Sequence, residues 1–282
     1  MLKTTIFRKH QYSWIPFVFI ILTIVTAGIA GCVSHAKTLR EAQDNFNSAA
    51  SLENQIKIDP LASDSIAVTS QALAGYKLTL ETVTKLIDEK EQALKADKLL
   101  GSAYTLKALS EWRLGNYQSA VATVNKAKSA QDITLFPRDK AIIEALRGLI
   151  KNDQAYTMMI TKDQDNKPDH SYAEIKTLLM ESVDDLNAGK EAVQQGHSIR
   201  LYLSVSKLAA LKNWLDLFNS PNEYSKDKPS PFSKTNEQEQ WCNEAKSAWK
   251  TFTAEVERLG EQESKASIKW WGDRLAMPTA CQ

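Results

Sequence analysis

Between residues 36 and 271, apolar side chains recur at intervals of three and four, glycines are few, and no stretch alternates β-branched with polar residues. That period is the signature of amphipathic α-helices and not of strands. It predicts an all-α fold, with helices over residues 36–57, 64–87, 90–114, 117–130, 138–160, 171–195, 198–218 and 236–276, the last interrupted at Gly260. Several of these ends carry appropriate chemistry. Asp64 stands before the second helix, Gly115 and Asn116 separate the third from the fourth, Gly196 suits a helix C-terminus, and Ser198 can cap the helix that follows. Residues 220–235 are polar and proline-rich, the composition of a surface loop.

Within this pattern one segment is more specific. Ala103, Tyr104, Ala108, Trp112, Leu114, Gly115, Tyr117, Ala120, Val124 and Ala127 follow a spacing that resembles a tetratricopeptide repeat, clearest over residues 101–130. The resemblance implies two antiparallel helices. Gly115 reverses the chain, Tyr117 wedges against the turn, and Ala108, Ala120 and Ala127 allow close approach. Lys107 and Glu111 stand where that repeat prefers apolar residues, and Asp132 stands where it prefers proline. Lys128 falls on the solvent side of the same register.

Two fainter traces accompany it. Ala42, Phe46 and Ala49 repeat the spacing of Ala120, Val124 and Ala127, which reads as the second helix of a pair lacking its first. Ala141, Ala145 and Gly148 form a small-residue face of the kind a first helix uses. An irregular helical bundle accounts for the same alanines as markers of close contact. The expected architecture is therefore tetratricopeptide-like, either an irregular α-solenoid or a bundle, in one domain spanning residues 32–282.

The first thirty-one residues differ in kind. Lys3, Arg8 and Lys9 precede an apolar stretch from Trp14 to Ala30, and no acidic residue occurs there. At about 17 residues the stretch is at the short end of a bilayer span, and Pro16 and the small residues at its exit favour a cleaved secretory signal. Ile29, Ala30, Gly31 and Cys32 resemble the lipobox of bacterial lipoproteins. That resemblance implies cleavage before Cys32, acylation of Cys32, and a tether to the cell membrane. With Val33 next in the chain, it favours the outer membrane, facing the periplasm.

Removing residues 1–31 takes away three of the 35 Lys+Arg and none of the 34 Asp+Glu, leaving a formal charge of −2. Nothing in that balance invites nucleic acid. If Cys32 carries lipid, Cys242 and Cys281 remain as a pair in a compartment that permits a disulfide, and two free thiols are the alternative.

Candidate chemistry is sparse. His10, His35, His170 and His197 are scattered, with no zinc-ligand spacing, and there is no Gly-rich phosphate loop, GxSxG or CxxC. Asp163, Asp165, Asp169, Ser171 and Glu174 fall on positions 1, 3, 7, 9 and 12 of a calcium loop. Lys167 and Pro168 occupy positions where that loop needs an oxygen and a glycine, however. Ser171 with Glu174 reads equally as a capping box. No catalytic residue, metal or cofactor is therefore expected.

Trp241, Trp249, Phe252, Trp270 and Trp271 gather near the C-terminus, and adjacent Trp270 and Trp271 cannot share one core stripe. One of the two is expected at a groove, a partner surface or a membrane interface, or capped under a loop. The expectation is a non-enzymatic, membrane-tethered scaffold that binds an envelope protein or peptide. By resemblance to the repeat, its groove includes Thr105, Leu109, Trp112 and Arg113, of which Leu109 and Trp112 fit a core equally. The alternative is a solute-binding or transport-accessory lipoprotein of similar build.

Overall fold

The computed structural model describes residues 33–58, 65–130, 132–227 and 231–259, with residues 265, 268–269, 271–273 and 275. The chain runs through α1 (Val33–Ile58), α2 (Ser65–Ala96), α3 (Leu100–Arg113), α4 (Tyr117–Ser129) and α5 (Pro137–Ile160). It continues through α6 (Tyr172–Glu191), α7 (Ser198–Asn219), the short α8 (Pro221–Tyr224), α9 (Pro231–Val256) and a 3-10 turn, Glu257–Leu259. Among the described residues there is no strand, only an isolated bridge between Lys162 and Pro168. The all-α expectation holds. Among the same residues no helix is long and apolar enough to cross a membrane.

Packing follows chain order. α1 lies on α2, α3 on α4, α5 on α6 and α7 on α9, and the second helix of each of the first three pairs also packs on the first helix of the next. The first helices touch in sequence, α1 to α3 to α5 to α7. The result is two layers: α1, α3, α5 and α7 in one, and α2, α4, α6 and α9 in the other. This arrangement is a stack of helical pairs.

Small residues set the spacing within pairs, because a helix backbone approaches closely only where no side chain intervenes. A Cβ on Gly148 would lie 2.7 Å from the Ser182 carbonyl oxygen, and one on Gly189 would lie 2.5 Å from the Ala145 Cβ. The face formed by Ala141, Ala145 and Gly148 therefore buries against α6, as its composition implies. In the α3–α4 pair, Ala108, Ala120, Val124 and Ala127 are buried and Gly115 has φ +75°, the left-handed turn that the repeat pattern requires.

Some boundaries and roles differ from expectation. α2 continues through the charged stretch at residues 88–91 to Ala96, kinked at Lys90 (φ −133°, ψ 21°), and the chain turns at Asp97–Leu99 with Lys98 at φ 59°. A left-handed lysine carries no sequence signal, so the expected break falls about two and a half turns too early. Among the described residues α1 pairs with the helix after it, α2. Ala42 and Ala49 face the following helix, where the Thr79 hydroxyl donates to the Ala42 carbonyl and Gly75 meets Ala49. His197 caps α7, its ring Nδ1 accepting from the Ile199 amide, so Ser198 is the first helical residue and not the cap. The loop at 220–235 includes α8 and the first turn of α9. Lys128 is not a bare solvent residue, since it pairs with Glu144 on α5. Residues 1–32 and Asp64 lie outside the described residues.

Candidate functional site

Glu53 lies near the end of α1, Trp112 and Arg113 end α3, Asp153 lies two-thirds along α5, and Tyr202 is in the second turn of α7. All four helices belong to one layer. Helices in contact sit roughly 8–10 Å apart, so a flat layer would hold α1 and α7 about 27 Å from each other. Yet the Tyr202 hydroxyl feels the charges of Arg113, Asp153 and Glu53. Such coupling fades beyond a screening length of about 10 Å in salt. Arg113 bonds Glu53 of α1, Trp112 bonds Asp153 of α5, and Tyr202 of α7 lies within electrostatic reach of them, so one polar cluster spans the layer.

The cluster is ordered around the Arg113 guanidinium. Its Nη1 donates to Glu53 at 3.2 Å, its carbon sits 4.0 Å from the centroid of the Trp112 ring, and its Nε is buried with no acceptor among the described residues. Glu53 also accepts from the Tyr76 hydroxyl of α2 at 2.7 Å, while the Trp112 indole donates to Asp153 at 2.7 Å. Burial opposes the Arg113 charge, but its acidic neighbours, with the Glu53 and Asp153 carboxylates among them, outweigh it and hold the guanidinium above its ordinary range. Burial raises the Tyr76 and Tyr202 phenols, against the pull of Arg113, and raises Tyr117, with Asp153 adding to the shift. These phenols stay protonated and able to donate.

A fifth of the Arg113 side chain and a quarter of that of Glu53 remain open. A guanidinium stacked on an indole ring, paired with a carboxylate and partly open has the chemistry to hold a further polar group. The surface continues along α5, where Asp153, Tyr156 and Ile160 share one arc of the helix. Tyr156 and Ile160 are 51% and 53% exposed, among the most open large apolar side chains described. The short α8 packs on α5. On α7, Asn213 donates to Asn152 at 3.0 Å across the same layer.

Of the four expected groove residues, the structure leaves Arg113 partly open and moves the rest inward. Thr105 and Leu109 are buried, the Thr105 hydroxyl bonding back to the Gly101 carbonyl. Trp112 is buried too, but it serves the site as the platform under Arg113 and as the donor to Asp153. Glu53, Asp153 and Tyr202 had no local signal, because each is a single polar residue on a separate helix, dozens of residues apart.

The other candidates resolve differently. Asp163 Oδ1 accepts from the backbone amides of Asp165 and Lys167, so this carboxylate closes its own loop. Ser171 and Glu174 form a reciprocal capping box at α6. Among the described residues no cluster of His, Cys, Asp and Glu could hold a metal ion. Glu111 is buried, where its carboxylate accepts from Thr123 across the α3–α4 pair, and Asp132 pairs with Lys95.

Glu237 is buried and accepts from Tyr172, Trp214 and Lys176, a satisfied node that fastens α9 to α6 and α7. Trp241 is buried with its indole on the Leu211 carbonyl, the rings of Trp249 and Phe252 lie 5.8 Å apart, and Trp271 is buried. Trp270 lies outside the described residues. Cys242 is disulfide-bonded, and both Cys32 and Cys281 lie outside the described residues. The chain matches no protein-family model and no curated protein.

Proposed function

We propose that this chain is a lipid-anchored envelope protein whose helical stack binds a protein or peptide segment along its concave surface, without catalysis. The observation that carries the reading is the meeting of Glu53, Arg113, Asp153 and Tyr202, from four successive inner helices, beside the open Tyr156 and Ile160. An apolar strip next to a desolvated arginine on an aromatic platform is the composition of an interface hot spot. Stacked pairs supply the long curved surface that holds an extended segment. Cys32 supplies the anchor, and the lipobox resemblance supports an outer-membrane, periplasm-facing location.

A second reading, a solute-binding or transport-accessory lipoprotein, draws on the same convergence of polar and aromatic groups, which also suits a small polar molecule. One experiment separates the two. A photoreactive residue is placed at Tyr156 or Ile160 on the concave side, and at Leu73 or Lys77 on the exposed face of α2, in intact envelopes. The scaffold reading expects a discrete protein adduct from the concave positions only. A solute carrier gives none there, and adducts from α2 alone refute the concave site.

A further inference from the structure

Val33, the residue after Cys32, opens α1, and the helix is fastened to the domain within its first turn. His35 Nε2 lies 2.5 Å from Asp97 in the α2–α3 turn, and Leu39 is buried. The same turn meets the α4–α5 loop. Lys95 pairs with Asp132, and Gly101 sits so close to the Thr134 carbonyl that a Cβ there would approach to 2.2 Å. The start of α1, the α2–α3 turn and the α4–α5 loop thus form one contiguous edge of the stack.

The chemistry of that edge is distinctive. Phe136, immediately before α5, is 44% exposed. Lys98 and Lys140 are exposed and carry no ion pair among the described residues. The carboxylates beside them are occupied: Asp97 by His35, Asp132 by Lys95, and Asp139, which is buried, by the Ser102 hydroxyl. Arg138 adds a half-buried cation. The edge therefore offers an aromatic ring and uncompensated ammonium groups, the pairing that suits the headgroup layer of a bilayer.

We propose that the membrane itself occupies this edge, an inference that rests on the acylation of Cys32. His35 is three residues from Cys32, a reach of about 10 Å at most even for extended chain. The headgroup region is about 5–8 Å deep on each side of the hydrocarbon. With no linker to lift it, the folded edge sits in that layer, Phe136 inserts among the headgroups, and Lys98 and Lys140 face lipid phosphates. The orientation also places the polar cluster. α3 begins at the edge and ends at Arg113 after 14 residues. At 1.5 Å per residue this carries Arg113 roughly 20 Å clear of the bilayer.

The test uses the full acylated chain reconstituted into vesicles of phosphatidylcholine and phosphatidylglycerol, with a nitroxide on Phe136→Cys or, at the opposite edge, on Asn116→Cys. Collisions with an aqueous nickel chelate are expected to be several-fold fewer at 136 than at 116, with oxygen collisions enhanced at 136. Mass spectrometry of the same preparation reads the acyl chains on Cys32. Acylated protein with equal nickel access at both labels overturns the membrane-facing edge alone. Absence of acyl mass overturns the anchor and this orientation together.

Discussion

Replacing Gly189 by alanine sets two effects of opposite sign against each other. Inside a helix, alanine is favoured over glycine by about 1 kcal/mol, so helix propensity alone predicts a more stable protein. The structure predicts the reverse. A Cβ at Gly189 would lie 2.5 Å from the Ala145 Cβ and 2.7 Å from the Ala141 carbonyl oxygen. Carbon atoms in contact normally rest about 3.5–4.0 Å apart, so α5 and α6 must separate by roughly 1 Å to admit the methyl group. The interface cannot pivot freely, because Gly148 already meets the Ser182 carbonyl one layer along and the Ser182 hydroxyl donates to the Gly148 carbonyl at 2.7 Å. Overpacking of this kind costs about 1–3 kcal/mol, and the steric conflict here is with backbone as well as a side chain. The net expectation is destabilisation by about 1–2 kcal/mol. Urea unfolding of the chain lacking residues 1–32, followed by circular dichroism, should show the midpoint falling by about 0.5 M, at a denaturant slope of roughly 2–3 kcal/mol per molar. A midpoint unchanged or raised would refute the close approach of α5 and α6.

Further expectations follow from other parts of the fold. Gly115→Val forces a β-branched residue into the left-handed region and should cost about 1–3 kcal/mol in the same assay, as should Ala120→Leu, which overpacks the α3–α4 contact. If both are harmless, that pair is not packed as described. Burial raises the Glu111 carboxyl above its ordinary 4.5, against the opposing pull of Thr123 and Lys107. A carboxyl raised in the folded state binds its proton more tightly there, so stability is greatest below the unfolded value and falls as pH rises through the folded one. Glu111→Gln should therefore flatten the loss between pH 4 and 7, and an unchanged slope would contradict it. Cys32→Ser should abolish incorporation of labelled fatty acid and leave the precursor unprocessed, whereas equal labelling of both forms would exclude Cys32 as the anchor.

The features readable in the sequence were those written in local spacing. Gly115 between Trp112 and Tyr117 marks a turn whatever surrounds it, and Ala141, Ala145 and Gly148 mark a close helix contact because their side chains are too small for another role. Ser171 with Glu174 is a local capping motif, and the structure closes it. Other features depend on tertiary context. The end of α2 is set by Lys98 at φ 59°, a conformation a lysine adopts only when the packing of α1, α2 and α3 demands it. The pairing of α1 with α2 follows from where Gly75 and Thr79 come to lie. The polar cluster is the clearest case. Arg113 was visible as an exposed position at the end of a helix, but its partners Glu53, Asp153 and Tyr202 come near it only through the packing of four helices.

The central claim is that the concave surface organised by Arg113 receives the partner. Its most direct measurement is the yield of protein adduct from a photoreactive residue at Ile160 in intact envelopes, compared between the otherwise native chain and Arg113→Ala, with circular dichroism confirming that both keep their helix content. One discrete adduct is expected with the native arginine, and a several-fold loss with Arg113→Ala. An adduct of undiminished yield in the folded Arg113→Ala chain would contradict it.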